Sequence, residues 1–257
     1  MSRIKQAFCG GILGRKGRPM EQALAIAAEI GLKGIDLPGP FPVDELVKAA
    51  PKYGLTVAII GGHASLTDGL NNPANHERIL GELDRNIRFA ADNGIPNLVC
   101  LSGNRRGMDD WNGLLNTAEV LKRAAPLAEA KGVTLCTELL NSKVDHPDYM
   151  CDHTMWGVTL CRLVGSPRVK LLFDIYHMAI MEGDLIRNIT THIAHIGHFH
   201  TAGNPGRKDL DDQQEIYYPA VMRAIADSGF EGFVGHEYSP KGDEVESMRQ
   251  AFAACDV

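Results

Sequence analysis

Four short segments place acids and imidazoles where they could do chemistry: "ELLN" from Glu138, "DIYH" with Asp174 and His177, "HIGHFH" ending at His200, and "GHEYS" with Glu237. Taken singly, each has an ordinary explanation. An acid at the end of an apolar run can cap a helix or pair with a cation, and a strand histidine can be a satisfied core residue. Brought together, three carboxylates would repel one another unless a cation neutralised them. An oxygen-rich set with a single imidazole suits a hard or borderline ion, Mn²⁺ or Mg²⁺ with Co²⁺ as a further choice, better than it suits structural zinc. The expected metal ligands are therefore Glu138, Asp174, His200 and Glu237. Alternate residues of a strand share a face, so His198 points the same way as His200, and His195 the other way. His198 then lies one layer deeper and reads as interior packing, while His195 and His192 read as structural or solvent-facing.

Other residues are expected to touch a substrate. His177 follows Asp174 by three positions, within reach of a substrate hydroxyl unless it merely caps a helix. Arg207 closes the glycine-rich loop "GNPGR". Its planar fork suits a carboxylate or a pair of hydroxyls, the alternative being one more solvated arginine. His63, after "GG", and Lys241, in "EYSPKG", are further candidates.

The elements that must position these groups follow from periodicity. Eight apolar, β-rich runs recur: 4–10, 34–39, 55–63, 97–103, 133–141, 169–177, 192–200 and 232–239. Helical patterns lie between them, among them 20–32, 43–55, 75–95, 114–133 and 219–232. Several end in glycine just before the next strand ("EIGLKG", "DNGIP", "AKGVT"), where a left-handed cap stops the helix. Each unit takes roughly 32 residues, the length of a βα repeat. Near-continuous apolar strands indicate parallel strands buried on both faces. Eight alternations without a linker predict one (β/α)₈ TIM-barrel domain over 1–257. A doubly wound open sheet is the alternative, weakened because no G-x-G-x-x-G follows the first strand. In a barrel the active site forms at the C-terminal strand ends. There strands five to eight carry the four expected ligands, whereas strands one and two read as bare.

Composition narrows the function classes. The chain has 257 residues, 44% hydrophobic and 23% charged, and a net charge of −6, which argues against a nucleic-acid partner. No run approaches the roughly 18 apolar residues of a membrane helix, and "MSRIKQAFCGGILGRKGRPM" has no long apolar signal-peptide core. Of six cysteines, none forms a C-x-x-C pair, and Cys9, Cys100 and Cys136 sit in apolar runs. Reduced thiols in a cytoplasmic protein are expected.

The set "ELLN", "DIYH", "HFHTAG" and "GHEYSPKG" resembles the xylose isomerase-like TIM-barrel superfamily. With "DDQQEIYYPAVMRAI" it looks most like the hydroxypyruvate isomerase family, over about residues 4–245 and most specifically from 133 onward. The resemblance implies a divalent metal at the residues matching Glu138, Asp174, His200 and Glu237, with Glu138 and Glu237 as the acid–base pair. It implies that His177 and Arg207 touch substrate oxygens. Two departures bear on the substrate. Hydroxypyruvate isomerases often carry glutamine where this chain has His200, and ketose 3-epimerases carry histidine there. Those epimerases also place a further glutamate where this chain has Val144, beside Asp145 and His146.

The implied reaction is proton movement next to a carbonyl through an enediolate stabilised by the metal. Return of the proton to the adjacent carbon isomerises, and return to the same carbon from the other face epimerises. Hydroxypyruvate to tartronate semialdehyde is the named case. The alternatives are a ketose 3-epimerase acting on tagatose, fructose or ribulose, an inosose or keto-sugar lyase or dehydratase, an apurinic endonuclease on the same barrel, and a non-catalytic metal-binding barrel. The partner is a small molecule, and analogy with barrels of this kind points to a homo-oligomer.

Overall fold

Strands β1 (Lys5–Cys9), β2 (Gly34–Leu37), β3 (Thr56–Gly61), β4 (Asn97–Cys100), β5 (Thr134–Glu138), β6 (Val169–Asp174), β7 (Ile196–Thr201) and β8 (Phe233–His236) close into a barrel in sequence order. Every neighbouring pair is parallel, and β1 pairs with β8 to complete the ring. The computed structural model describes residues 2–14, 17–39 and 41–257. Closure excludes the open doubly wound sheet. The fold is a (β/α)₈ TIM barrel.

The helices are α1 (Gly10–Leu13), α2 (Met20–Ile30), α3 (Val43–Ala49), α4 (His76–Asp92), α5 (Asp110–Lys131), α6 (Thr154–Val164), α7 (Ile175–Met181), α8 (Leu185–His192), α9 (Tyr218–Asp227) and α10 (Glu244–Cys255). Gly31 and Gly132 cap α2 and α5 at φ of 109° and 70°, a conformation that costs residues with a Cβ. α4 turns its apolar stripe (Ile79, Leu83, Ile87 and Ala90, all fully buried) onto the barrel, at the spacing an amphipathic helix needs. All six cysteines are buried and unpaired. Among the described residues, no helix is long and apolar enough to cross a membrane.

The strands are trimmed relative to the apolar runs, and the largest differences, in β6 and β7, have identifiable reasons. Residues Ile193–His195 form a 3₁₀ turn, so β7 starts at Ile196 and His195 does not take part in the alternation. The register of β6 against β7 also shifts there, from Leu171↔Ile196 to Leu172↔His198. β6 stops at Asp174 because the Asp174 carboxylate accepts the amide of His177 and opens α7. His177 is therefore a first-turn helix residue, not a strand end.

Counting back by two from the candidate ligands gives the layers of the barrel interior. Ile59, Val99, Cys136 and Leu172 form an apolar cluster separate from the main core between barrel and helices. On the helix-facing side, the ring of His236 bonds Thr201 Oγ1 at 2.8 Å and Gln6 Oε1 at 2.9 Å, while Gln6 Nε2 donates to the Phe252 carbonyl in α10. Burial pushes the His236 imidazole down to about 4 from an ordinary value of 6.5. A neutral buried ring supports the native state fully above pH 6.5, and that support is lost as pH falls toward 4, because the unfolded chain takes the proton first. Urea-unfolding free energies are expected to fall more between pH 6.5 and 4 in the natural chain than in His236→Asn, by up to about 3 kcal/mol.

Candidate metal centre and active site

The C-terminal ends of β5, β6, β7 and β8 bring Glu138, Asp174, His200 and Glu237 together, with one potential ligand atom from each within 4.8 Å of all the others. His200 Nδ1 is 3.1 Å from Glu237 Oε2 and 3.5 Å from Glu138 Oε1. Asp174 and His200 are wholly buried, and Glu138 is nearly so. Asp174 does two jobs with its two oxygens. Oδ1 accepts the His177 amide at 3.1 Å and caps α7, while Oδ2 is buried with no hydrogen-bond partner. His200 Nδ1 is likewise buried and unpartnered by hydrogen bonding. Buried polar atoms without a partner are costly, and here two of them meet two further carboxylates. Three oxygen donors and one nitrogen fit a hard or borderline divalent ion.

The charges are tuned accordingly. Burial pushes the Asp174 carboxyl up, against the pull of Arg207 and His200. Burial would also raise Glu237, but the Arg207 guanidinium at 2.6 Å and His200 hold it well below the usual carboxylate range. His200 is the converse case: burial opposes its charge, yet Glu237 and its other neighbours raise it well above an ordinary imidazole.

His177 is fixed by the chain end of β5. The Asn141 side-chain carbonyl accepts the amides of Val144 and Asp145, which settles the orientation of its amide group. Its NH₂ therefore donates to Asp145 Oδ2 at 2.7 Å and to His177 Nδ1 at 2.6 Å. Nδ1 is an acceptor, so the proton sits on Nε2, which has no hydrogen-bond partner and lies 3.6 Å from Asp174 Oδ2. Burial and then Arg207 push His177 down to about 3. The residue thus offers a neutral N–H donor beside the candidate metal ligands. Arg207 Nη2 reaches Glu237 and lies 3.9 Å from Asp174, and its Nε is buried without a partner.

A family model described as "Xylose isomerase-like TIM barrel" matches residues 24–255. The chain belongs to that family. It is 31% identical over 225 residues to a 2-oxo-tetronate isomerase of Cupriavidus necator, covering 84% of this chain and 86% of that protein. It is 30% identical over 231 residues to a hydroxypyruvate isomerase of Escherichia coli, covering 87% and 89%. The crystal structure of a family 2 AP endonuclease from Brucella melitensis superposes with a TM-score of 0.86 at 24% identity, covering 99% of this chain and all of that one. At that identity the likeness is one of fold.

On this xylose isomerase-like barrel the two remaining sequence candidates stand apart from the cluster. His63 has both ring nitrogens engaged by backbone: Nδ1 faces the Ala64 carbonyl at 3.0 Å and Nε2 accepts the Leu101 amide at 2.9 Å. The Lys241 ammonium pairs with Asp211 at 2.6 Å. His198 is interior, as its alternation with His200 requires, but it is not apolar packing alone: its Nε2 bonds Asp36 Oδ2 at 2.9 Å.

Asp36 corrects the view that the first two strand ends are bare. Cys9, Asp36 and His200 form a second close group, all buried. Gly235 makes room for it, since a Cβ at that position would collide with Asp36 Oδ2. His200 Nε2 is 3.4 Å from the same oxygen. If Nδ1 binds a metal, Nε2 carries the ring proton, and Asp36 is the carboxylate placed to receive it. This is how carboxylates orient ligating histidines and raise their basicity. The sequence signal is weak, since in "GIDL" the acid lies one residue short of the strand end and two ahead of Pro38. Asp36→Asn is expected to weaken Mn²⁺ binding about 10–100-fold in titrations of metal-stripped protein, while leaving the fold intact.

Proposed function

We propose that this protein is a divalent-metal-dependent isomerase of a small hydroxy-keto acid, interconverting hydroxypyruvate and tartronate semialdehyde or a close homologue. The observation that carries this reading is the four-residue cluster, with Glu138 and Glu237 flanking Asp174 and His200 and one guanidinium beside it. The names of the Escherichia coli and Cupriavidus necator relatives agree with it. A metal ion held by the four residues would supply Lewis-acid polarisation of a substrate carbonyl. Mn²⁺, Mg²⁺ or Co²⁺ matches the donor set.

The chain's own groups do the rest. Arg207 binds the substrate carboxylate through its fork. His177 donates Nε2–H to a substrate oxygen. One of the two glutamates takes the carbon-bound proton next to the carbonyl, giving the enediolate. The proton then returns to the neighbouring carbon as a hydroxyl proton shifts to the former carbonyl oxygen, so the carbonyl moves by one position and no atom is gained or lost. Six buried free thiols support a reducing, cytoplasmic location.

His200 favours a second reading. A histidine at this position is the pattern of the ketose 3-epimerases, in which the proton returns to the same carbon from the other face. One experiment separates the two. Metal-stripped protein is restored with Mn²⁺, Mg²⁺ or Co²⁺ and followed by NMR in D₂O with hydroxypyruvate, fructose, tagatose and ribulose. Metal-dependent deuterium uptake with hydroxypyruvate as best substrate supports the isomerase. Uptake at carbon 3 of a ketose supports the epimerase, and no exchange with any of them overturns both.

A further inference from the structure

We propose that Cys9, Asp36 and His200 form a second, inner cation site that takes a thiophilic ion of the zinc and cadmium class and excludes the metal of the outer site. Cys9 ends β1 and is register-paired with Asp36 on β2, and His200 faces both from β7. Sulfur, carboxylate oxygen and imidazole nitrogen lie within 4.8 Å of one another. Asp36 Oδ1 and His200 Nε2 are buried without a hydrogen-bond partner, and Nε2 lies 3.4 Å from Asp36 Oδ2. Asp36 Oδ2 is already held by His198, which aims the free oxygen's carboxylate, and Gly235 leaves the space. The donor set is sulfur, nitrogen and oxygen. That combination selects zinc-like ions, whereas the outer set of three carboxylates and one imidazole selects harder ones. Three protein ligands leave a fourth position open.

The two sites compete because they share one ring. The Glu237 and Glu138 carboxylates of the outer cluster approach Nδ1, and Asp36 of the inner group approaches Nε2. A neutral imidazole has one lone-pair nitrogen and one N–H. Metal on Nδ1 puts the proton on Nε2, toward Asp36. Metal on Nε2 puts it on Nδ1, toward Glu237. An ion entering the inner site displaces the Cys9 thiol proton and, from a protonated ring, the Nε2 proton to solvent as the sulfur–metal and nitrogen–metal bonds form, with no change of oxidation state. The consequence is an inhibitory site for thiophilic ions built beneath the proposed catalytic one. The competition rests on the proposed function, whereas occupancy of the inner site does not.

The test is a Cd²⁺ titration of the metal-stripped full chain, read by ultraviolet sulfur-to-cadmium charge-transfer absorption. The natural chain is expected to give a band that saturates at one equivalent, and Cys9→Ser to give none while keeping its unfolding midpoint. Cys9→Ala serves as a second variant should serine perturb the fold. In a parallel sample loaded with Mn²⁺, Cd²⁺ is expected to release Mn²⁺ at lower concentration from the natural chain than from Cys9→Ser, as read by electron paramagnetic resonance. No band in the natural chain, or the same band in a folded Cys9 variant, overturns the inner site. A Cys9-dependent band in a chain that binds no Mn²⁺ keeps the inner site and overturns the outer one.

Discussion

Glu237→Gln is expected to lower turnover about 10²–10⁴-fold, the span typical of losing a positioned general acid–base group, with a much smaller loss of bound metal. Glutamine keeps the shape and one carbonyl oxygen that can still face a cation, but it has no lone pair basic enough to take a carbon-bound proton. Glu237 is ionised, as a proton acceptor must be, because Arg207 at 2.6 Å stabilises its charge despite partial burial. Glu138→Gln is expected to fall in the same range, since the two glutamates work as one unit and their effects are not additive. Steady-state rates and the metal content of gel-filtered protein, measured on the same samples, check this. A drop in metal equal to the drop in rate would mean that the glutamates only hold the ion. A chain inert with every substrate, in natural and substituted forms alike, would return the barrel to a non-catalytic metal binder.

What could be read from the sequence followed from local rules. Eight repeats of strand and helix, glycine-stopped helices and apolar parallel strands fix a closed barrel, and the barrel fixes which strand ends matter. Glu138, Asp174, His200 and Glu237 stand out as candidates in this way because each sits at the end of an apolar run. Cys9 and Asp36 escaped for a physical reason. A cysteine in an apolar run is indistinguishable from a small hydrophobe, and an acid just ahead of "PGP" looks like part of a turn. Their meaning comes from the β1–β2 register and from ring closure, which bring them opposite β7, some 160 residues away in sequence. His195 reads as a strand residue in the sequence because a three-residue 3₁₀ turn preserves apolar spacing while breaking the alternation. The lock on His177 was also invisible, since it depends on which way the Asn141 amide faces, and two backbone amides decide that.

Asp174 separates the structural and functional uses of one side chain, and its substitutions are expected to diverge. In Asp174→Asn the carbonyl oxygen can still accept the His177 amide, so α7 keeps its cap. The buried, unpartnered Oδ2 is replaced by a neutral NH₂, which removes a charge that burial already disfavours. The metal-free protein should therefore unfold no more easily than the natural chain, and Mn²⁺ affinity should fall at least 10-fold, because an anionic ligand is gone from a set of three. Asp174→Ala loses the cap as well, costing about 1 kcal/mol of stability in the absence of metal. Urea unfolding of stripped protein and Mn²⁺ titration, run on both variants, give four numbers. If Asp174→Asn binds Mn²⁺ as tightly as the natural chain, Asp174 is only the helix cap that its position after an apolar strand first suggested. If affinity collapses while stability holds, the second oxygen is a ligand, and the chain has used the N-terminus of α7 to aim it.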